Sequence, residues 1–162
     1  MDYEVIYFSK SSRQNTKKIA EAIADALKVT ATRVTPEMRI SKSKVLFLGT
    51  GVYMWHAGKD MRKFIDNFPQ SEGQKVAIFM THGGNNTEAL AEMKTKLEEK
   101  GCNIIETWEC LGEWAVFCKG HPTEQEIQNA REFAVEIAKN AENYEGVKKG
   151  ELETGEETPK SL

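Results

Sequence analysis

Two rhythms of apolar and polar positions take turns along this chain. Val5-Ile6-Tyr7-Phe8 is a continuous apolar run, and a polar stretch follows from Ser9 to Asn15. From Thr16 onward Ile19, Ala20, Ile23, Ala24 and Leu27 recur at spacings of three and four, which predicts an amphipathic helix over 16–27. Val29 to Val34 alternates like an edge strand and stops at Pro36. Residues 36–43 leave room only for a turn or one short helical turn. Val45 to Gly49 and Val76 to Met80 are unbroken apolar runs, the pattern of strands covered on both faces. Met61, Phe64, Ile65 and Phe68 predict the helix between them. Leu90, Met93 and Leu97 predict another, ended by Gly101. Asn103 to Leu111 reads as a more polar strand. Thr123 with Glu126 three residues later is a capping box, opening a helix with Ile127, Ala130, Phe133, Ala134 and Ile137 inside.

Alternation of this kind predicts an α/β fold: a doubly wound, five-stranded parallel sheet with helices on both faces. Right-handed crossovers restrict the topology, and the order 2-1-3-4-5 places the three most apolar strands centrally. The 162 residues suit one domain, expected over 1–144. From 145 onward the chain is rich in Glu, Lys and Gly without an aromatic residue, which predicts a disordered acidic tail.

In an open sheet of this type ligands sit beyond the carboxyl ends of the strands, where the strand order reverses. Four loops meet there: 9–15, 50–58, 81–86 and 111–121. The first offers Ser9, Ser11, Ser12, Asn15 and Thr16 as uncharged donors at a helix start, the arrangement that receives a phosphate. A simple capped turn uses the same residue types. The second holds Tyr53 and Trp55 between Gly51 and Gly58, suited either to stacking on a planar ring or to packing on the next helix. In the third, Gly83 and Gly84 permit close backbone approach, while Asn85 or Asn86 is placed to cap a helix. His56 and His82 are open between proton donation and a structural hydrogen bond. His121 belongs to the start of the last helix.

Neither a GxxxxGK[ST] phosphate loop nor GxGxxG is present. Ser9-Lys10 and Thr50-Gly51 stand where a phosphorylation receiver needs acidic residues. The sequence offers no Ser-His-Asp order, metal cluster or spaced carboxylate pair, so the hydrolase reading is weak. Net charge is −3, and residues 145–162 hold five Glu against three Lys, leaving about −1 for the body. Such a body carries no basic footprint for nucleic acid. No apolar run approaches the ~20 residues that cross a bilayer, and a cytoplasmic protein without a membrane partner is expected. Cys102, Cys110 and Cys118 match neither a zinc nor a CxxC redox spacing and read as reduced, mostly buried thiols.

The stretch VIYFSKSSRQNTKKIAEAIADAL resembles the first strand, phosphate loop and helix of the short-chain, FMN-binding branch of the flavodoxin-like family. GTGVYMWHAGKDMRKFID is similar to its second cofactor loop, and THGGNNTEALAEMKTKLEEKG to its third. FCKGHPTEQEIQNAREFA is similar to the ending of many members, so the likeness spans about 3–143. The resemblance implies noncovalent FMN. Ser11, Ser12, Asn15 and Thr16 would match the phosphate loop, flanked by Ser9, Arg13 and Gln14. Tyr53 or Trp55 would stack on the isoalloxazine, beside Thr50 and Gly51. Thr81, His82, Gly83 and Gly84 would line its pyrimidine edge, and Trp114 would be either a second cover or core. Ser12-Arg13-Gln14 replaces the family's glycine-containing turn and brings a cation near the phosphate. The favoured reading is an electron carrier acting between redox partner proteins, a monomer or weak dimer. An FMN-dependent NAD(P)H:quinone-type reductase and a flavin-free binding module on the same fold are the alternatives.

Overall fold

The computed structural model describes residues 2–10 and 12–143. In chain order the elements are β1 (Tyr3–Phe8), α1 (Asn15–Leu27), β2 (Ala31–Arg33), β3 (Val45–Tyr53) and β4 (His56–Ala57). They continue with α2 (Lys59–Asp66), β5 (Lys75–His82), α3 (Thr87–Glu99), β6 (Asn103–Leu111) and α4 (Glu124–Asn140). The parallel strands lie in the order β2-β1-β3-β5-β6. This is the predicted 2-1-3-4-5 arrangement, with the short β4 added antiparallel to β3. The disorder expected from 145 onward concerns residues outside those described. Among the described residues no helix is long and apolar enough to cross a membrane.

The continuous apolar runs are explained by a core on each face. Even-numbered side chains of the central strands (Ile6, Phe8, Leu46, Leu48, Val76, Ile78, Met80) pack with Met61, Phe64 and Ile65 of α2 and Ala89, Met93 and Leu97 of α3. The odd-numbered set (Val5, Tyr7, Val45, Phe47, Ala77, Phe79) packs with Ile19 and Ile23 of α1 and Ala130, Ala134 and Ile137 of α4. A strand buried on both faces has no polar positions to spare, so its alternation disappears. At Gly49 a Cβ would stand 1.9 Å from the Phe79 ring, so only glycine lets β3 and β5 pack there.

Several boundaries differ from expectation, and β1 and β5 both run longer than their apolar cores, over Tyr3–Phe8 and Lys75–His82. β2 spans only Ala31–Arg33. Upstream, Lys28 and Val29 still close α1, donating to the carbonyls of Asp25 (3.1 Å) and Ala24 (2.9 Å) with Lys28 left-handed. α1 begins at Asn15, one residue early. The largest difference is at 50–58, expected to be a loop: β3 runs on to Tyr53 and turns into β4, pairing Val52 with Ala57 and Tyr53 with His56. The capping box forms as predicted. Thr123 Oγ1 accepts from the Glu126 N–H at 3.1 Å, and Glu126 Oε1 accepts from the Thr123 N–H at 2.9 Å.

Candidate functional site

β1, β3, β5 and β6 all point their carboxyl ends at one rim, and the loops that leave them enclose a cleft of about 1000 Å³. Ser9, Lys10, Asn15 and Thr16 line it from the first loop and α1, and Gly51 to His56 from the β3–β4 hairpin. Thr81, His82, Gly83 and Asn85 contribute from β5, and Gly112, Glu113 and Trp114 from the segment after β6. A separate hollow of about 730 Å³ lies between α3 and β6, and no residue of the first, second or fourth loop takes part in it.

The N-terminus of α1 is built to receive an acceptor. Gln14, at the N-cap position, is left-handed (φ 54°), and its side chain makes no capping hydrogen bond to the helix. The N–H groups of Asn15, Thr16 and Lys17 therefore lack an intrahelical acceptor and carry the positive end of the helix dipole. Gln14 takes the conformation that glycine adopts at least cost, in the stretch where the family's glycine-containing turn is missing. Ser9 is buried at the same corner, and its carbonyl accepts from Arg33 Nη1. Asn15 donates from Nδ2 to the Glu113 carbonyl at 2.8 Å. Its Oδ1 is buried without a hydrogen-bond partner among the described residues. Thr16 and Thr81 share a 2.7 Å hydroxyl bond that joins α1 to β5.

Several candidates hold the loops in place. Thr50 is fully buried; its Oγ1 accepts from the Gly58 N–H (2.9 Å) and donates to the Gly51 carbonyl (2.8 Å), bracing the hairpin base. Tyr53 meets Phe8 edge-on (ring centroids 5.7 Å, 90°), and its OH accepts from the Lys10 N–H at 3.0 Å. Burial pushes the Tyr53 phenol up, outweighing the Lys10 N–H and the Arg33 charge, so it stays a neutral pin. Arg13 leaves the first loop altogether. Nη2 donates to the Ala115 carbonyl at 3.1 Å and Nε lies 3.5 Å from Glu113 Oε1. The cation expected beside the phosphate therefore ties the first loop to the fourth, and Arg13 does not line the cleft. Ser12 is exposed and Gly84 left-handed (φ 138°); neither lines the cleft, and Ser11 lies outside the described residues.

The walls are aromatic. Trp55 stands at the tip of the hairpin, and Trp114 covers the other side with its indole against Gly83, where a Cβ would fall 2.0 Å from Nε1. Trp114 stacks on Phe117 (4.9 Å, 30°) and is half-exposed, so it is not core. His82 accepts at Nδ1 from the Gly84 N–H (3.0 Å), which places the neutral ring's proton on Nε2. That atom lies 3.3 Å from Glu109 Oε2 but lacks the alignment of a hydrogen bond. His56 is paired with Glu92 at 3.1 Å. Arg62 also lines the cleft, with Nε donating to the Ala57 carbonyl at 3.1 Å. Sequence reasoning missed it because α2 was legible only through its apolar stripe. Among the described residues no group of three or more His, Cys, Asp or Glu side chains is placed to hold a metal ion.

The first turn of α1, with Ser9 and Lys10, stands at one end of the cleft and aromatic walls at the other, at the rim of a doubly wound sheet. The chain belongs to the flavodoxin family: residues 5–112 match the flavodoxin-domain model. This is a flavin-binding, electron-transferring family. An uncharacterized protein of Methanocaldococcus jannaschii is 31% identical over 149 residues, covering 84% of this chain and 98% of that one. Among solved structures, a flavodoxin from the domain Archaea superposes with a TM-score of 0.66 at 19% identity, covering 88% of this chain and 99% of its own. Oxidised flavodoxin 1 of Bacillus cereus gives 0.67 at 18% identity, with 86% and 98% covered.

Proposed function

We propose that the cleft binds FMN and that the chain is an electron carrier, a flavodoxin, working between redox partner proteins in the cytoplasm. One observation carries this reading: the first turn of α1, at Asn15 and Thr16, opens into the same cleft that Trp55 and Trp114 wall. The residues present fit the group. The first-turn N–H groups of α1 suit a phosphate monoester. Asn15 Oδ1, buried and unpartnered among the described residues, suits a donor such as a ribityl hydroxyl. The two indoles suit the faces of a fused aromatic ring.

FMN, when bound, supplies one- or two-electron redox chemistry, and the protein's part is to hold and tune it. The α1 amides meet the tail at a corner where Arg13 is engaged elsewhere and Lys10 is the first-loop cation that lines the cleft. Trp55 and Trp114 exclude water from the ring, which strengthens every electrostatic interaction around it. Residues Gly51 to His56 of the hairpin form part of the cleft wall. His82 keeps a proton on Nε2 at the β5 end of the cleft. Among the described residues no long insertion adds a substrate pocket to the four loops, which favours the carrier over the reductase.

Titration of FMN and of riboflavin into the purified chain, followed by visible absorbance, tests the reading. FMN binding with a perturbed spectrum, and riboflavin at least about tenfold weaker for want of the anion, is the expected outcome. A chain that changes neither spectrum is a flavin-free module. Sustained NADH or NADPH oxidation by the loaded protein alone makes it a reductase.

A further inference from the structure

Large apolar side chains are exposed in one region above all. Met54 (81% exposed) and Trp55 (58%) sit at the tip of the β3–β4 hairpin, and Trp114 (52%), Val116 (79%) and Phe117 (53%) on a second hairpin after β6. Elsewhere among the described residues only Val135 of α4 belongs to this class, at 37%. Both tips flank the cleft. Met54 (φ 49°) and Trp55 (φ 71°) are both left-handed, as is Ala115 (φ 49°). A two-residue hairpin turn favours Asn-Gly there, so placing Met-Trp at the tip costs conformational energy.

We propose that this apolar rim is an interface with a second copy of the chain, formed by the two hairpin tips about a two-fold axis. Area and charge point to this occupant. Leaving both indoles to the cleft, the exposed parts of Met54, Val116 and Phe117 amount to roughly 400 Å² per copy, taking about 200 Å² for a large side chain. With the polar margin around them, that is the scale of a small, reversible interface. Aromatic residues and Met are the types enriched at such centres. Two charge pairs at the rim are closed within one copy, Arg13 with Glu113 and His56 with Glu92. The body's net charge of about −1, from −3 overall and −2 over 145–162, gives two copies little reason to repel. A partner selected by a strong field of one sign would find none here.

An isologous contact uses the same patch twice. Because the tips stand on both sides of the cleft, pairing sets the two clefts face to face and shields them from water. It also competes with any other protein for the same edge. Nothing in this pairing depends on what the cleft holds.

Sedimentation velocity of the full chain from about 1 μM to about 1 mM, with and without FMN, tests it. A reversible monomer–dimer equilibrium is expected, little changed between low and high salt because no ion pair holds it. Val116→Asp and Met54→Asn should each weaken dimerisation about tenfold or more. Asn tolerates the left-handed turn better than Met, so Met54→Asn should keep or raise the melting temperature, separating lost contact from lost folding. Val135→Asp, on α4, should leave the equilibrium unchanged. A chain that stays monomeric to the top of the range overturns the proposal. So does a dimer indifferent to both rim substitutions, one that Val135→Asp disrupts equally, or open-ended aggregation.

Discussion

Arg13 shows how one side chain's destination changes its meaning. In the sequence it stands in the loop expected to hold a phosphate. In the structure its guanidinium reaches the Ala115 carbonyl and Glu113, on either side of Trp114 in the chain. Its role is thus to place the indole wall. Arg13→Ala should weaken FMN and riboflavin by the same factor, about three- to tenfold for one net hydrogen bond. A phosphate ligand would instead weaken FMN alone, so the ratio of the two dissociation constants separates the roles. Glu4 makes the second case at this scale. Its Oε2 is buried without a hydrogen-bond partner among the described residues. Burial pushes its carboxyl above the ordinary 4.5, more than the Ser41 backbone hydrogen bond lowers it. The folded state thus favours protonated Glu4. Its contribution is intact below the ordinary value and is lost as pH rises through the raised one. Glu4→Gln should leave stability unchanged at low pH and increase it at neutral pH, read from urea midpoints at both.

At the scale of elements, helices and buried strands were legible because their spacing is local. The β3–β4 hairpin was not. Its turn is Met54-Trp55, with neither Gly nor Asn to mark two left-handed residues, so the sequence reads as open loop. The hairpin fixes the two aromatics differently: Tyr53 lines the cleft while held by Phe8 and the Lys10 N–H, and Trp55 lines it from the exposed tip. Arg13 was misplaced, and Arg62 missed, for another reason. Where a long polar side chain docks depends on residues about 100 positions away or on a neighbouring turn, and no periodicity encodes that. The capping box was legible to the residue, yet its reach was not. Glu126 bonds Thr123 N–H, lies 2.5 Å from His121 Nδ1, and accepts from the Leu111 N–H at 3.3 Å, joining α4 to the end of β6. Burial raises its carboxyl, but the Thr123 N–H, His121 and the Thr123 side chain together hold it below the ordinary 4.5. A carboxyl lowered by folding stabilises above its unfolded value, and that support disappears as pH falls through the folded one. Glu126→Gln should cost about 1 kcal/mol at neutral pH and flatten the acid limb of the stability curve, measured by denaturant unfolding.

Over the whole molecule, stability and function occupy different ends of the sheet. The two cores lie along the central strands, while the cleft sits beyond the strand ends. There it is braced by single bonds between loops: Tyr53 to Lys10, Asn15 to Glu113, Thr16 to Thr81, Arg13 to Ala115. Such an arrangement lets the loops change without endangering the fold, and it predicts independent free energies for ligand and core. FMN at about one hundred times its Kd should raise the unfolding free energy by about 2.7 kcal/mol. Leu97, fully buried near the carboxyl end of α3, packs in one of the cores and does not line the cleft. Leu97→Ala should lower stability by about 2–5 kcal/mol. The increment from FMN should nevertheless match the wild type's to within about 0.5 kcal/mol, as for sites that share no partners. Urea unfolding of both proteins with and without FMN closes that cycle. A smaller increment in the variant would mean that the rim is held in shape by the core beneath it rather than by its own cross-bonds.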